Sequence, residues 1–290
     1  MTRALGLALA LALGACTTPP GADVGPPPDR DARRDRLNRA ETFAAVLSRR
    51  AALDSLARYD LVIVDPDAYQ VEDVRELRAG GALSLGYVNV GEAEAWRGFA
   101  DRIDPAWVLG ENANWPGHQF VDARQPGWQE LVVETVAGRV VAREFDGLFL
   151  DMADVAAPSL YPETAPGVVA LVQALRERYP THLIVMNRGL FLTDRVGHAI
   201  DGLLVEGVWG RMDFRTRAPA RTRADETQAL LARLAAFRDE TGGAAFAIDY
   251  ADTDALRDHV RASARRAGLP VFVSRIALAD LPPAGDARAW

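Results

Sequence analysis

The 290-residue sequence contains no lysine, so all 33 of its basic residues are arginines. Schiff-base chemistry and a lysine-bearing phosphate loop are therefore excluded. A single cysteine, Cys16, rules out a disulfide framework and any zinc site built from several thiolates. The four histidines, His118, His182, His198 and His259, are scattered and none ends an apolar run, so surface or structural roles are expected for them. No Gly-x-Ser-x-Gly elbow occurs, and no Gly-x-Gly-x-x-Gly turn leads a strand into a helix. The formal net charge is −7 and no basic block occurs, which argues against nucleic-acid binding by counterion release. What is present is ordinary for a globular protein: 49% hydrophobic and 25% charged residues, enough for one large α/β domain.

The N-terminus reads as a secretory signal. Arg3 supplies the positive charge, a short Ala/Leu/Gly run follows, and Leu13-Gly14-Ala15-Cys16 matches the bacterial lipobox. The run is too short to span a bilayer as a helix. Residues 1–15 are expected to be removed and Cys16 to be acylated, which anchors the chain by lipid instead of spanning the membrane. Thr17, in place of Asp after the cysteine, favours the outer membrane of a Gram-negative cell. Residues 16–38, rich in Pro, Gly, Asp and Arg, read as a disordered tether, and 39–290 as a single domain.

Within that domain short β-branched apolar runs alternate with longer amphipathic stretches. Strands are expected at Phe43–Leu47, Leu61–Val64, Leu83–Val90, Gly147–Leu150, Leu183–Met186, Gly202–Val205, Ala244–Ile248 and Val271–Val273. Helical periodicity is clearest in Trp128–Arg143, Val168–Tyr179, Arg223–Thr241 and Thr253–Ala267. Near-continuous hydrophobic strands suit a parallel sheet covered on both faces, and eight βα units in roughly 250 residues is the arithmetic of a (β/α)8 TIM barrel. A doubly wound open sheet is the alternative.

Chemistry in such a barrel sits at the C-terminal ends of the strands. The residues expected there are Asp65, then Tyr87, Asn89 and Glu92, then Asp151, Asn187, Glu206 with Trp209 just beyond, Asp249 with Tyr250, and Arg275. Carboxylates, amides and aromatic rings converging on one mouth describe a sugar-binding cleft. Asp65 also reads as a helix N-cap, and Asp154 as a loop or capping residue instead of a metal ligand. Asp151 and Glu206 each follow directly on an apolar run, and two acids flanking a glycosidic bond are the minimum kit for glycoside hydrolysis. A separation of about 5 Å between them is plausible, but the sequence alone does not say which acid does which job. The long Trp-rich stretch 93–125 is where specificity is expected.

The segments Tyr59–Asp65, Gly86–Glu94, Phe145–Asp151 and Val205–Trp209, in that order, resemble glycoside-hydrolase family 114, the endo-α-1,4-polygalactosaminidases. The resemblance covers most of residues 42–275. It implies a retaining mechanism with Asp151 as nucleophile and Glu206 as acid/base, no cofactor, and a galactosamine-containing polysaccharide as substrate. A cationic polymer of that kind would be favoured by Asp65, Glu92 and Asp249, which are expected to meet sugar amines. A monomer is expected. The alternatives are a hydrolase for another glycan and a surface lipoprotein that binds carbohydrate without turnover.

Overall fold

The computed structural model describes residues 29–282. The signal segment, Cys16 and most of the expected tether lie outside the described residues. All eight expected strands form: β1 (Phe43–Val46), β2 (Leu61–Val64), β3 (Leu83–Asn89), β4 (Gly147–Asp151), β5 (Leu183–Asn187), β6 (Gly202–Glu206), β7 (Ala244–Tyr250) and β8 (Val271–Ser274). They make one sheet whose spatial order is the chain order, every neighbouring pair parallel. Residues of β1 through β7 are almost entirely buried, as the unbroken apolar runs require of strands covered on both faces. The seam between β1 and β8 is filled by Phe43, whose ring lies 5.3 Å from Phe246 and 6.0 Å from Phe272. The architecture is a (β/α)8 barrel.

Local signals set the helix ends. In Asp254–Ala267, Thr253 caps the N-terminus by accepting from Leu256 N, Gly268 closes the other end at φ 60°, and Leu256, Val260 and Ala264 put a four-residue apolar repeat against the barrel. The helical stretch from Pro126 to Ala142 widens to a π-turn over Leu131–Ala137. Its Trp128 is buried and donates Nε1–H to Val90 O at 3.0 Å, tying that stretch to the end of β3.

The tether is shorter than the sequence indicated. Arg30–Asn38 is a helix capped by Asp29 that packs across the N-terminal end of the barrel. Its Leu37 is buried in the core, Arg33 lies 3.4 Å from the buried Asp146, and Arg30 and Arg34 face Asp201. Arginine stems and one leucine repeating at i+3 and i+4 hold this helix down, so its high charge reflects ion pairs rather than solvation.

Two insertions stand on the opposite end. The stretch after β3 folds into a small antiparallel sheet of Glu92–Glu94, His118–Val121 and Val108–Glu111, and the stretch after β6 into the hairpin Gly210–Asp213/Ala218–Arg221. Gly91 lets the first insertion approach β4: a Cβ there would lie 2.3 Å from Met152 O.

Candidate active site

The C-terminal ends of β3, β4, β5, β6 and β7 meet at the floor of an open cleft of about 1180 Å³. Asn187, at the end of β5, stands between the two expected acids. Its Nδ2 donates to Asp151 Oδ1 at 2.9 Å and to Glu206 Oε1 at 2.7 Å. The two N–H directions of a planar amide diverge by roughly 120°, which places these carboxylate oxygens about 5 Å apart. Tyr87 donates to the other oxygen of Asp151 at 3.0 Å, and Tyr250 to the other oxygen of Glu206 at 2.6 Å. Burial, and then the neighbouring carboxylates, hold both phenols well above their ordinary range, so each remains a protonated donor.

Asp151 accepts a third bond, from Met152 N at 2.8 Å. Burial pushes its carboxyl up, Asn187 pulls it back, Asp154 adds repulsion, and the Met152 and Tyr87 donors lower it further; the net direction is upward. The chain turns sharply after each of the three floor residues. Met152 (φ 62°), Arg188 (φ 59°) and Gly207 (φ 74°) all occupy the left-handed region. For Met152 and Arg188 this is a strained conformation, and it sits where strain collects in functional sites.

Other expected residues are placed differently. Asn89 is buried beneath the floor, donating to Tyr87 Oη at 3.1 Å and accepting from Gly91 N and Glu92 N, so it positions the site without facing the cleft. Asp65 lines the cleft but is occupied: it caps the turn Pro66–Ala68 and holds Arg97 at 2.9 Å. Glu92 is likewise occupied, accepting from Asn112 Nδ2 at 2.6 Å and facing His118 Nδ1 at 2.9 Å. Asp249 is fully buried and accepts the N–H groups of Val208, Trp209 and Gly210, each at 2.7 Å. Trp209 is buried in that same turn, away from the cleft. Arg275 is exposed, pairs with Asp280, and does not line the cleft. Of the expected amine contacts, that of Asp249 is corrected, because it is buried and saturated by backbone N–H groups, whereas Asp65 and Glu92 line the cleft with oxygens already engaged by the protein.

The cleft also holds residues for which the sequence indicated no place in substrate binding. Arg188 pairs with Asp154 at 3.0 Å on one wall, and Arg97 joins Glu94 to Asp65 on another. Every large apolar side chain that is exposed among the described residues lines this cleft: Trp96, Trp115, Leu160, Phe191 and Phe214. Such side chains gathered on one concave surface mark a ligand site, and flat aromatic faces suit sugar rings. The two tryptophans come from the long stretch 93–125, whose richness in Trp was the only sequence signal for them.

His118, expected to be surface or structural, is a wall of the cleft. Burial opposes its charged form, but Glu92, Glu94 and Asp151 outweigh that and raise it above its ordinary value. A raised folded value means the stabilisation is complete below the unfolded value of about 6.5 and disappears as pH rises through the folded one. His118→Gln is therefore expected to lower the melting temperature more at pH about 5.5 than at pH about 9, read from thermal unfolding at both; equal losses would show that the Glu92–His118 pair contributes nothing through charge.

The sequence profile of glycoside-hydrolase family GH114 matches residues 27–286. An uncharacterized protein of Deinococcus radiodurans is 28% identical over 236 residues, covering 77% of this chain and 75% of its own length. One from Thermotoga maritima is 26% identical over 159 residues, 49% of each chain. Among solved structures, the glycoside hydrolase domain of PelA from Pseudomonas aeruginosa superimposes with a TM-score of 0.74 at 24% identity, covering 83% of this chain and 97% of that one. Aspergillus fumigatus Ega3, solved in complex with galactosamine, gives 0.68 at 14% identity, covering 83% and 94%. The structural likenesses establish the shared fold, and the profile spans nearly the whole chain: this protein belongs to glycoside-hydrolase family GH114.

Proposed function

We propose that the protein is a retaining, endo-acting glycosidase that cuts an α-1,4-linked, galactosamine-containing polysaccharide, with Asp151 as nucleophile and Glu206 as acid/base. The observation that carries the reading is the Asn187 bridge. Two carboxylates about 5 Å apart leave no room for a water on the far side of the sugar, which is the spacing of double displacement. Asp151, fixed by three donors, would attack the anomeric carbon while Glu206 gives its proton to the departing glycosidic oxygen. Water then replaces Asp151, surrendering a proton to Glu206, and the sugar leaves with its original anomeric configuration. Asp151 is named as nucleophile on the family resemblance, and its three donors favour the ionised form against the burial that raises it.

The substrate class is supported by the family and by the galactosamine complex of Ega3. Endo action is supported by an open cleft with exposed rings on several walls, which a long chain can cross. We infer further, from the lipobox, a lipid-anchored protein of the bacterial envelope; among the described residues no helix is long and apolar enough to cross a membrane.

Asn187→Ala removes the bridge while leaving both acids. It is expected to lower kcat about 100-fold with a much smaller change in KM, because positioning is lost and binding groups remain. An unchanged kcat in steady-state kinetics would refute the bridge's role. The reading as a whole is tested by incubating the full chain with partly deacetylated α-1,4-galactosaminogalactan and weighing the products by mass spectrometry. Short oligomers are expected; intact polymer would overturn it.

A further inference from the structure

The insertion after β3 holds an arrangement that two-carboxylate chemistry does not use. Glu92 is only 2% exposed and lies behind His118, with one oxygen taken by Asn112 and the other by the imidazole Nδ1. The remaining ring nitrogen, Nε2, has no protein partner among the described residues. Two indoles flank the ring, Trp96 edge-on at 4.9 Å and Trp115 at 6.2 Å between centroids. Trp96 is 58% exposed and Trp115 37%, and both face the cleft that contains Asp151. A polar atom without a partner between two exposed indoles is a binding surface for a group that is part apolar and part hydrogen-bond acceptor.

We propose that His118, backed by Glu92 and flanked by Trp96 and Trp115, is a subsite that accepts an N-acetylated hexosamine unit of the polymer and rejects one carrying a free amine. The inference rests on the amino-sugar reading above and refines it. A buried carboxylate 2.9 Å from Nδ1 favours the doubly protonated ring, and in that form Nε2–H is a donor. The groups facing the ring, Glu92, Glu94 and Asp151, act in the same direction, and Arg97 is engaged by Glu94 and Asp65. A charged donor suits the carbonyl of an acetamido group and repels an ammonium, while the indoles take the acetyl methyl and the flat face of the ring. The acid that the sequence assigned to sugar amines thus acts through a histidine of opposite preference.

The test is a binding measurement, which does not depend on turnover. The full chain carrying Asp151→Asn is titrated calorimetrically at pH about 6 with an α-1,4 tetramer of N-acetylgalactosamine and with its fully deacetylated counterpart. The acetylated tetramer is expected to bind at least about tenfold more tightly, and adding His118→Ala should abolish that difference. Trp96→Ala, at an exposed position that does not threaten the fold, should weaken the acetylated tetramer by a similar factor. Equal affinities, a preference that survives both substitutions, or no binding of either tetramer would overturn the subsite. Failure of the wild-type chain to cut any polymer would overturn the glycosidase reading alone, since the binding difference is measured separately.

Discussion

Asp151→Asn and Glu206→Gln are each expected to lower turnover of the polysaccharide by about 10³-fold or more, because each removes one of the two proton- or bond-making groups. The two variants differ in a second respect. Asp151 is held above its ordinary carboxylate value, chiefly by burial. A carboxyl raised in the folded state costs stability wherever it is ionised, so the cost is present at neutral pH and vanishes as pH falls below both values. A neutral amide of the same shape removes it. Asp151→Asn should therefore melt no lower than wild type at pH 7 while being inactive, a pairing that loss of fold cannot produce. Kinetics and thermal unfolding on the same preparation check it; activity within tenfold of wild type would dismiss Asp151 from the mechanism.

Asp146→Ala should be the most destabilising substitution at the other end of the barrel, at about 3–5 kcal/mol, because it leaves buried cations without their counter-charge. Asp146 is fully buried; Arg33 stands 3.4 Å and Arg78 3.6 Å from its Oδ1, and its Oδ2 accepts from Ser84 N at 3.0 Å. Burial already depresses Arg33, and Asp146 is the leading force that opposes it. For a domain of this size such a loss corresponds to a fall in melting temperature of roughly 10 °C. The arginine comes from the helix Arg30–Asn38, so the helix should detach as well and its amides lose protection in hydrogen exchange. A change within about 1 kcal/mol would mean that the ion cluster is decorative.

The two ends of the barrel show why some of this was legible in the sequence. Asp151 and Glu206 could be read because a polar residue ending an unbroken apolar strand in a parallel barrel has only the mouth to face. Asp249 and Tyr250 follow the same kind of run, but successive strand residues point to opposite sides, so only one of them reaches the floor. Tyr250 does so, donating to Glu206, while Asp249 turns outward to the backbone of residues 208–210. That alternation was available in the sequence; which member of the pair would win was not. Arg97, Asn112 and His118 carried no individual signal within the stretch 93–125, because a small sheet inside that long insertion brings them together. The helix Arg30–Asn38 was misread for a related reason: charge looked like solvation when its partners, Asp146 and Asp201, lay more than a hundred residues away.

The most direct measurement is the anomeric configuration of the first product, followed by proton NMR as the full chain cuts a galactosamine-containing oligomer. The α-anomer appearing first, and only later equilibrating to the β form, is the result expected from Asp151 and Glu206 held about 5 Å apart by Asn187. The β-anomer first would contradict that geometry's assigned role and require an inverting reaction with a water between the two acids.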